Sequence, residues 1–348
     1  MLESVPLHNF RLPTSKRTRY SLLMALLLLA GLALAVWLRK EAPPEVARLL
    51  PESDAIVYAN LKPLRSATHF DRTPVEHSAE YAQFIAATGI VPERDLDAVA
   101  FALQRMDDPS GPNGTVAYSE VFEGRFDGER LRQYLRSIAT QVEPYAGHDI
   151  FTIPVGEAVA GRRRQLRVVQ LGYDTIAASN TPTAEQIHSI LDRHRSAAAP
   201  FAGSSLLSAR YGDVPLLSSA WAIGHVGLPF SERGRISVFG LELPLPENTT
   251  FVASVRYVGS VRLRVEELAP SEPEAARTAE TLRSLLALVG QFETARAGMS
   301  GASEDPALRQ ALASVKVEQH KDRAVLTAAI PVELLRQLAG STSDSARR

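Results

Sequence analysis

The sequence predicts an α+β protein: an N-terminal transmembrane helix followed by two α+β halves, each an antiparallel sheet covered by helices. Three observations carry this reading. A single uncharged apolar run stands near the N-terminus. Beyond it, short β-branched or aromatic segments alternate with helices whose starts and stops are marked. The alternation breaks near residues 196–203 and then resumes. The 348 residues are 45% hydrophobic and 22% charged, a globular mix that excludes wholesale disorder and fibrous repeats. Cysteine is absent, which excludes disulfides, thiolate metal sites, cysteine nucleophiles and acylation of an N-terminal cysteine.

The apolar run is Ser21–Leu38, SLLMALLLLAGLALAVWL. As a helix it spans roughly 27 Å, close to the ~30 Å core of a bilayer. Ser21, Leu22 and Leu38 mark its limits, and Tyr20 and Trp37 sit where amphipathic rings favour the headgroup level. Arg11, Lys16, Arg17 and Arg19 precede it, and Arg39-Lys40 follow. The heavier positive flank predicts an N-terminus in the cytoplasm and a translocated C-terminal part. The expected location is therefore the bacterial cytoplasmic (inner) membrane, single-pass, with the C-terminal part periplasmic and the bilayer as partner through residues 21–38. A cleaved signal peptide is the rival reading, with Ala33-Leu34-Ala35 as its cleavage site. The apolar run continuing into Arg39-Lys40 argues for an uncleaved anchor. Setting aside the six basic and one acidic residues of positions 1–40 leaves 32 basic against 38 acidic groups. That acidic balance repels phosphate backbones, so no nucleic-acid partner is expected.

The expected organisation is a cytoplasmic N-terminus (1–19), an anchor (20–40), a stalk (41–51), a first half (52–197), a second half (198–340) and a tail (341–348). In the stalk, Pro43-Pro44 stiffens the chain. Asp54–Leu61 reads as a strand. Ser78–Thr88 reads as a helix with Tyr81, Phe84, Ile85 and Thr88 on one side and Gly89 at the left-handed stop. Strands follow at Asp97–Leu103 and Thr115–Phe122, separated by the turn-rich Asp107–Gly114. Asp127 caps a helix with Leu131, Tyr134, Leu135 and Ile138 as its stripe. Strands near Ile150–Ile153, Leu166–Leu171 and Thr175–Ala178 come next. Thr181-Pro182 is expected to open a helix carrying Ile187, Ile190 and Leu191.

After Ser196–Gly203 the second half offers strands at Ala220–Val226, Thr250–Val258 and Val261–Glu267. A long helix begins at the capping box Ser271-Glu272-Pro273-Glu274, with Leu282, Leu285, Leu286, Val289 and Phe292 as its stripe. A hairpin (Val315–Ile330) and a helix (Pro331–Leu338) end the fold. The alternating apolar set Phe251, Ala253, Val255, Tyr257, Val261, Leu263 and Val265 is odd-numbered, so both strands share one face only if their loop has odd length; an odd loop, such as one of three residues with Gly259 at the bulge, is predicted. The stretches VFEGRFDGERLRQYLRS (121–137) and VLTAAIPVELLRQLAGS (325–341) echo each other. Either a duplication or the generic look of a strand-to-helix junction accounts for that.

LPESDAIVYANLKPL (50–64), EYAQFIAATGIVPERDLDAVAFAL (80–103), YAGHDIFTIP (145–154) and LGYDTIAASN (171–180) carry a resemblance. Together they resemble single-pass envelope proteins of acidobacteria and related bacteria, whose chains open with an LPxxDAxxYxNL strand after the anchor. The resemblance covers mainly residues 49–195. It implies an envelope location and an α+β ectodomain, and it assigns no activity.

No phosphate loop, dinucleotide-binding glycine motif, nucleophile elbow, S-x-x-K or H-E-x-x-H occurs. His69, Asp71 and His77, with Glu76, form a candidate metal cluster, set against a solvated loop leading into the next helix. Arg162, Arg163, Arg164 and Arg167 form the one dense basic run. It is a candidate contact for an anionic surface, set against a solvated hairpin tip. His188 and His194 are expected at the surface, His148 in a turn and His225 half-buried in a strand. No catalytic residue and no cofactor are expected. The pattern points to a membrane-tethered, non-catalytic binding or assembly module of the bacterial cell envelope with an envelope protein partner. The alternative is a carrier or sensor of an apolar ligand such as a lipid, with a pocket beside the small residues Ala275, Ala276, Ala279 and Ala287 of the long helix. A hydrolase assembled from distant segments is the third reading.

Overall fold

The structure is a computed structural model of the chain. It describes residues 24–25, 27–31, 42–68, 70–72, 78–159, 162–196, 203–225, 235–238, 241–244, 249–257, 260–300 and 306–331. The chain divides into two compact units, Met1–Ala42 and Pro43–Arg348. In the first, residues 24–25 and 27–31 are helical, and Met24, Leu27, Leu28 and Leu29 are exposed. The anchor limits Ser21, Leu22 and Leu38 lie outside the described residues, as do the N-terminus 1–19 and the tail 341–348. Among the described residues no helix is long and apolar enough to cross a membrane.

In the second unit α1 (Glu45–Arg48) leads into β1 (Ala55–Asn60). Next come α2 (Leu61–Thr68), α3 (Ala79–Thr88), α4 (Pro92–Asp95), β2 (Leu96–Arg105) and β3 (Val116–Gly124). Helix α5 (Gly128–Ile138) precedes β4 (Gln141–Tyr145), β5 (His148–Val159), β6 (Arg162–Gln170) and β7 (Thr175–Ser179). Helices α6 (Glu185–Arg195) and α7 (Ser205–Arg210) lead to β8 (Ala220–His225). A separate ribbon pairs β9 (Arg235–Val238) with β10 (Leu241–Pro244). The last elements are β11 (Thr250–Tyr257), β12 (Val261–Leu268), α8 (Glu272–Ser300), α9 (Pro306–Ala313), β13 (Lys316–His320) and β14 (Arg323–Ile330).

Twelve of these strands form one antiparallel sheet in the order β13-β14-β12-β11-β8-β1-β2-β3-β7-β6-β5-β4. The sequence reading expects a separate sheet in each half. The structure joins them instead, because β1 pairs with β8 as well as with β2. Ile56 lies opposite Ile223, and Tyr58 stacks on Trp221 with centroids 5.4 Å apart. Both edges of β1 are thereby hydrogen-bonded, which leaves the seam no free strand edge.

Outward from that seam one side reads β1, β2, β3, β7, β6 and the other β8, β11, β12, β14, β13. The third strand of each side is followed by a helix, α5 or α8. The two sides therefore share one strand order and helix placement, with the β4–β5 hairpin added on one side. The sequence echo does not follow it. Residues 121–137 span β3 and α5, whose topological counterparts are β12 and α8, whereas 325–341 begins in β14.

The sheet has two covered faces. On the first face Ile56, Ala100, Val121, Val169, Ala177 and Ile223 pack with Ile187, Ile190 and Leu191 of α6 and Leu207 of α7. On the second face α5 covers Phe151, Ile153, Val168, Ile176 and Ala178. Further along that face Leu282 of α8 meets Leu326. The β11–β12 connection bears out the odd-loop expectation: Tyr257 pairs with Val261 across residues 258–260, and Val255 faces Leu263.

Two local expectations are corrected. Thr181 does not cap a helix. It is buried, its hydroxyl meets Ser179 Oγ at 2.9 Å, and α6 starts only at Glu185 after Ala184. The stalk is not a stalk either. Val46, Ala47, Leu49 and Leu50 are core residues of the first face, and α1 packs on β2 and β3. At its end the Glu52 carboxylate accepts hydrogen bonds from Ser205 Oγ at 2.6 Å and Arg193 Nη2 at 2.9 Å, tying α6 and α7 together. Helix 331–338 falls almost entirely outside the described residues.

Leu50 makes the difference measurable. Leu50→Ala should lower unfolding free energy by about 2–5 kcal/mol, as for a leucine truncated in a core. A residue in a solvated stalk would change it by less than about 0.5 kcal/mol. Urea unfolding of the two proteins separates these outcomes.

Candidate functional site

Strand β3 alternates. Ala117, Ser119 and Val121 are buried on the first face, while Tyr118, Glu120 and Phe122 point to the second. Helix α5 lies over that second face because Asp127 caps it: its carboxylate accepts from the Glu129 and Arg130 amides. The α5 stripe then turns Leu131 and Leu135 inward, with Tyr134 half-buried beside Phe84 of α3. Arg130 fixes the two helices together by donating to the Ala86 and Ala87 carbonyls at 3.0 and 3.3 Å. Gly89 ends α3 in the left-handed region at φ 75°, and a Cβ there would come within 2.8 Å of Arg130 Nη1.

Helices and strands do not close on each other completely. A cavity of about 320 Å³ remains between α3, α5 and the sheet. Phe122, Ile153, Val168, Ile176 and Ala178 form its floor, and Phe84, Leu131, Tyr134 and Leu135 its cover. Glu120 is the one ionisable acid in this lining. It stands between Phe101 of β2 and Ala178 of β7 in the strand register. Among the described residues its carboxyl has no hydrogen bond or ion pair. Burial alone pushes it up to about 7. Beyond Phe101 the same face continues as a half-buried apolar row through Val57 of β1 and Ala222 of β8.

The sequence-predicted candidates fall elsewhere. Asp71 lies in a single 3-10 turn, Phe70–Arg72, while His69 and His77 are outside the described residues. Among the described residues no cluster of three metal-ligating side chains exists. The basic run forms the first half of β6, starting directly after residues 160–161 that connect it to β5 in a hairpin. Arg167 donates to the Thr181 and Pro182 carbonyls at 2.8 and 3.2 Å, and Arg164 to the Pro112 carbonyl at 3.3 Å. Arg163 is exposed, and only the backbone of Arg162 is described.

His188 is not a plain surface residue. Its Nε2 lies 2.8 Å from Glu143 Oε1, and its ring stacks on Tyr145 at 3.9 Å. His194 sits edge-on to His148, and His148 Nδ1 is 2.9 Å from the Gln170 carbonyl. His225 is exposed rather than half-buried, and its Nδ1 is 3.3 Å from Thr250 Oγ1. The pocket expected beside the long helix is displaced as well. Ala275 and Ala279 are fully buried, whereas Ala276 and Ala287 face outward. Glu120 and Phe122 were not singled out from sequence, although an acid between two aromatics at period two in a strand is a readable signal.

No protein-family model matches the chain, and no curated protein matches it in sequence. Among solved structures it is similar to TP0453 in three crystal forms. Form III gives a TM-score of 0.44 at 11% identity over 86% of this chain and 99% of that one. Form I gives 0.42 at 8% identity over 86% and 98%, and form IV 0.43 at 11% over 86% and 96%. Likeness at this level carries no functional argument.

Glu120 sets a pH dependence. Below its ordinary value of 4.5 the carboxyl is neutral in both folded and unfolded chains. Above that the unfolded chain ionises freely, while the folded one resists until about 7. Stability therefore falls as pH rises through this window and stays lowered above it, by on the order of 3 kcal/mol. Urea unfolding at pH 5 and pH 8 should show Glu120→Gln losing most of that share of the drop. An unchanged drop in the variant would mean that Glu120 ionises normally.

Proposed function

We propose that this chain is a non-catalytic binding module of the bacterial cell envelope whose ligand is a single apolar chain with one polar group. The observation that carries this is the cavity under α5: about 320 Å³, walled by aliphatic and aromatic side chains, with one unpartnered carboxyl. That volume is at the lower end of the roughly 300–1,000 Å³ range of ligand pockets. A single acyl-type chain or a small ring system suits it. The apolar wall supplies affinity without direction. Glu120 supplies direction, since a hydroxyl or amine on the ligand would meet a carboxyl that has no protein partner among the described residues.

In this reading residues 21–38 hold the module at the cytoplasmic membrane as a single-pass anchor, with the N-terminus inside and Pro43–Arg348 in the periplasm. An envelope protein that delivers or receives the ligand is the partner it implies. A tether suits such a carrier because it raises the local concentration of module and membrane-derived ligand together.

Ala178 offers a direct test, because its methyl lines the cavity beside Glu120. Native mass spectrometry of the full-length protein, taken from its own membranes in mild detergent, should show a bound mass of lipid size. Ala178→Phe should remove it, and should weaken binding of the apolar fluorophore N-phenyl-1-naphthylamine at least tenfold. Glu120→Leu should retain the fluorophore but lose a long-chain alcohol or amine. A bare wild-type protein that also fails to bind the fluorophore would overturn the reading.

A further inference from the structure

The strands of the large sheet all run along one axis, so each loop can be assigned to one of two ends. Strand β1 ends at Asn60, where β2 and β8 begin: Asn60 pairs with Ala98 and Ala59 with Ala220. By the same registers this end holds the turn before β7, the segment before β8 and the turn after β11. Large apolar side chains are exposed there in a way the opposite end does not match among the described residues. Leu217 is 87% exposed, Leu216 58% and Tyr173 84%. Leu64 on α2 and Tyr257 at the end of β11 are exposed as well. The remaining exposed large apolar residues of this unit lie on α5, β4 and α8.

Leu217 is unusual twice over. Its φ of 62° is a left-handed conformation that glycine or asparagine adopts more easily. The segment is nevertheless fixed. Ser219 accepts from the Asn60 amide at 2.7 Å and donates to the Val255 carbonyl at 2.8 Å, while Ser218 Oγ donates to Pro215 O at 2.6 Å. A strained, pinned loop thus presents two adjacent leucines to the outside. The five apolar side chains lie at this end of strands β11 to β7, a width of about 24 Å at ordinary strand spacing.

The chain also arrives at this end. Helix α1 packs on β2 and β3, and Glu45 lies within electrostatic reach of Glu123, as do Lys62, Asp97 and Asp174, all at the same end. Only residues 39–42 separate Pro43 from the apolar run 21–38, and such a stretch reaches at most about 17 Å from Leu38 to Pro43. The charges here are mixed, Lys62 and Arg65 against Asp97, Glu123 and Asp174. The basic stretch of β6 points to the other end.

We infer that this end of the Pro43–Arg348 unit rests on the lipid surface, with Leu216 and Leu217 inserted between headgroups and Tyr173, Tyr257 and Leu64 at the interface. Insertion of apolar side chains, not attraction to anionic lipid, makes the contact. The inference rests on the anchor of the proposed function but not on its cavity.

The natural absence of cysteine allows a clean test in the full-length chain. Leu217→Cys, Tyr173→Cys and Lys321→Cys would each be labelled with the fluorophore NBD and reconstituted in vesicles of phosphatidylethanolamine and phosphatidylglycerol. Lys321 is exposed in the turn between β13 and β14, at the opposite end. Lipids spin-labelled in the acyl chain should quench NBD at positions 217 and 173 at least twofold more than at 321. Adding Leu216→Asp should cut quenching at 217, and Ala178→Phe should leave it unchanged. Equal quenching at 217 and 321 in chains that float with the vesicles would overturn the inference. So would quenching that disappears in high salt or without phosphatidylglycerol. Failure to float would overturn it together with the anchor, leaving the cavity reading to its own test.

Discussion

The antiparallel pairing of β1 with β8 is the constraint on which the rest of the second unit depends. Without it the two halves would each end in an unpaired strand edge, and the first face would lose the stack of Tyr58 on Trp221. With it, α1, α6 and α7 share one core under both sides of the seam. The second face is then left to α5 on one side and α8 on the other. The unequal closure of those two helices is where the candidate site arises. Helix α8 buries Ala275 and Ala279 fully and meets the sheet closely, whereas α5 carries longer side chains and stands off.

Buried acids show the same division of labour. Burial alone would raise the carboxyl of Glu266, but Arg323 and Arg264 donate to it at 2.7 and 2.8 Å and hold it below its ordinary value. Its neighbour Glu267 is pushed up by burial, with only the Thr278 hydroxyl, at 3.3 Å, lowering it in return. Glu120 has neither kind of support and is the most directly exposed to an apolar void. Acids that serve the fold acquire partners from it. One that has none destabilises the fold, and such a residue is commonly kept for what it does to a ligand.

Much of the fold was legible in the sequence, for physical reasons that can be named. Local signals were strong where a cap, a glycine stop or a period-two pattern acted within a few residues. Ser78 and Gly89 bound α3, Asp127 starts α5, and the odd-numbered apolar set fixed the β11–β12 loop. What failed depended on partners distant in the chain. Leu49 and Leu50 look like linker residues until β2 and β3 are placed over them. Thr181 resembles a cap until Ser179 claims its hydroxyl. The seam between β1 and β8 joins positions some 160 residues apart, and no local pattern announces it. The cavity escaped for the same reason, since its floor and cover come from β3, β5, β6, β7, α3 and α5 at once. Only Glu120, between Tyr118 and Phe122, left a local trace.

The burial of α1 has a mechanical meaning as well. A chain that left the folded unit through a slack linker would isolate it from forces applied at the N-terminus. Here Val46, Ala47, Leu49 and Leu50 are wedged into the first-face core, and Glu52 grips both α6 and α7 directly behind them. Tension at Pro43 is therefore delivered to the packed interior within a few residues, next to the central strands and not at a frayed edge. Within the Pro43–Arg348 unit, α1 is set like a post in its footing.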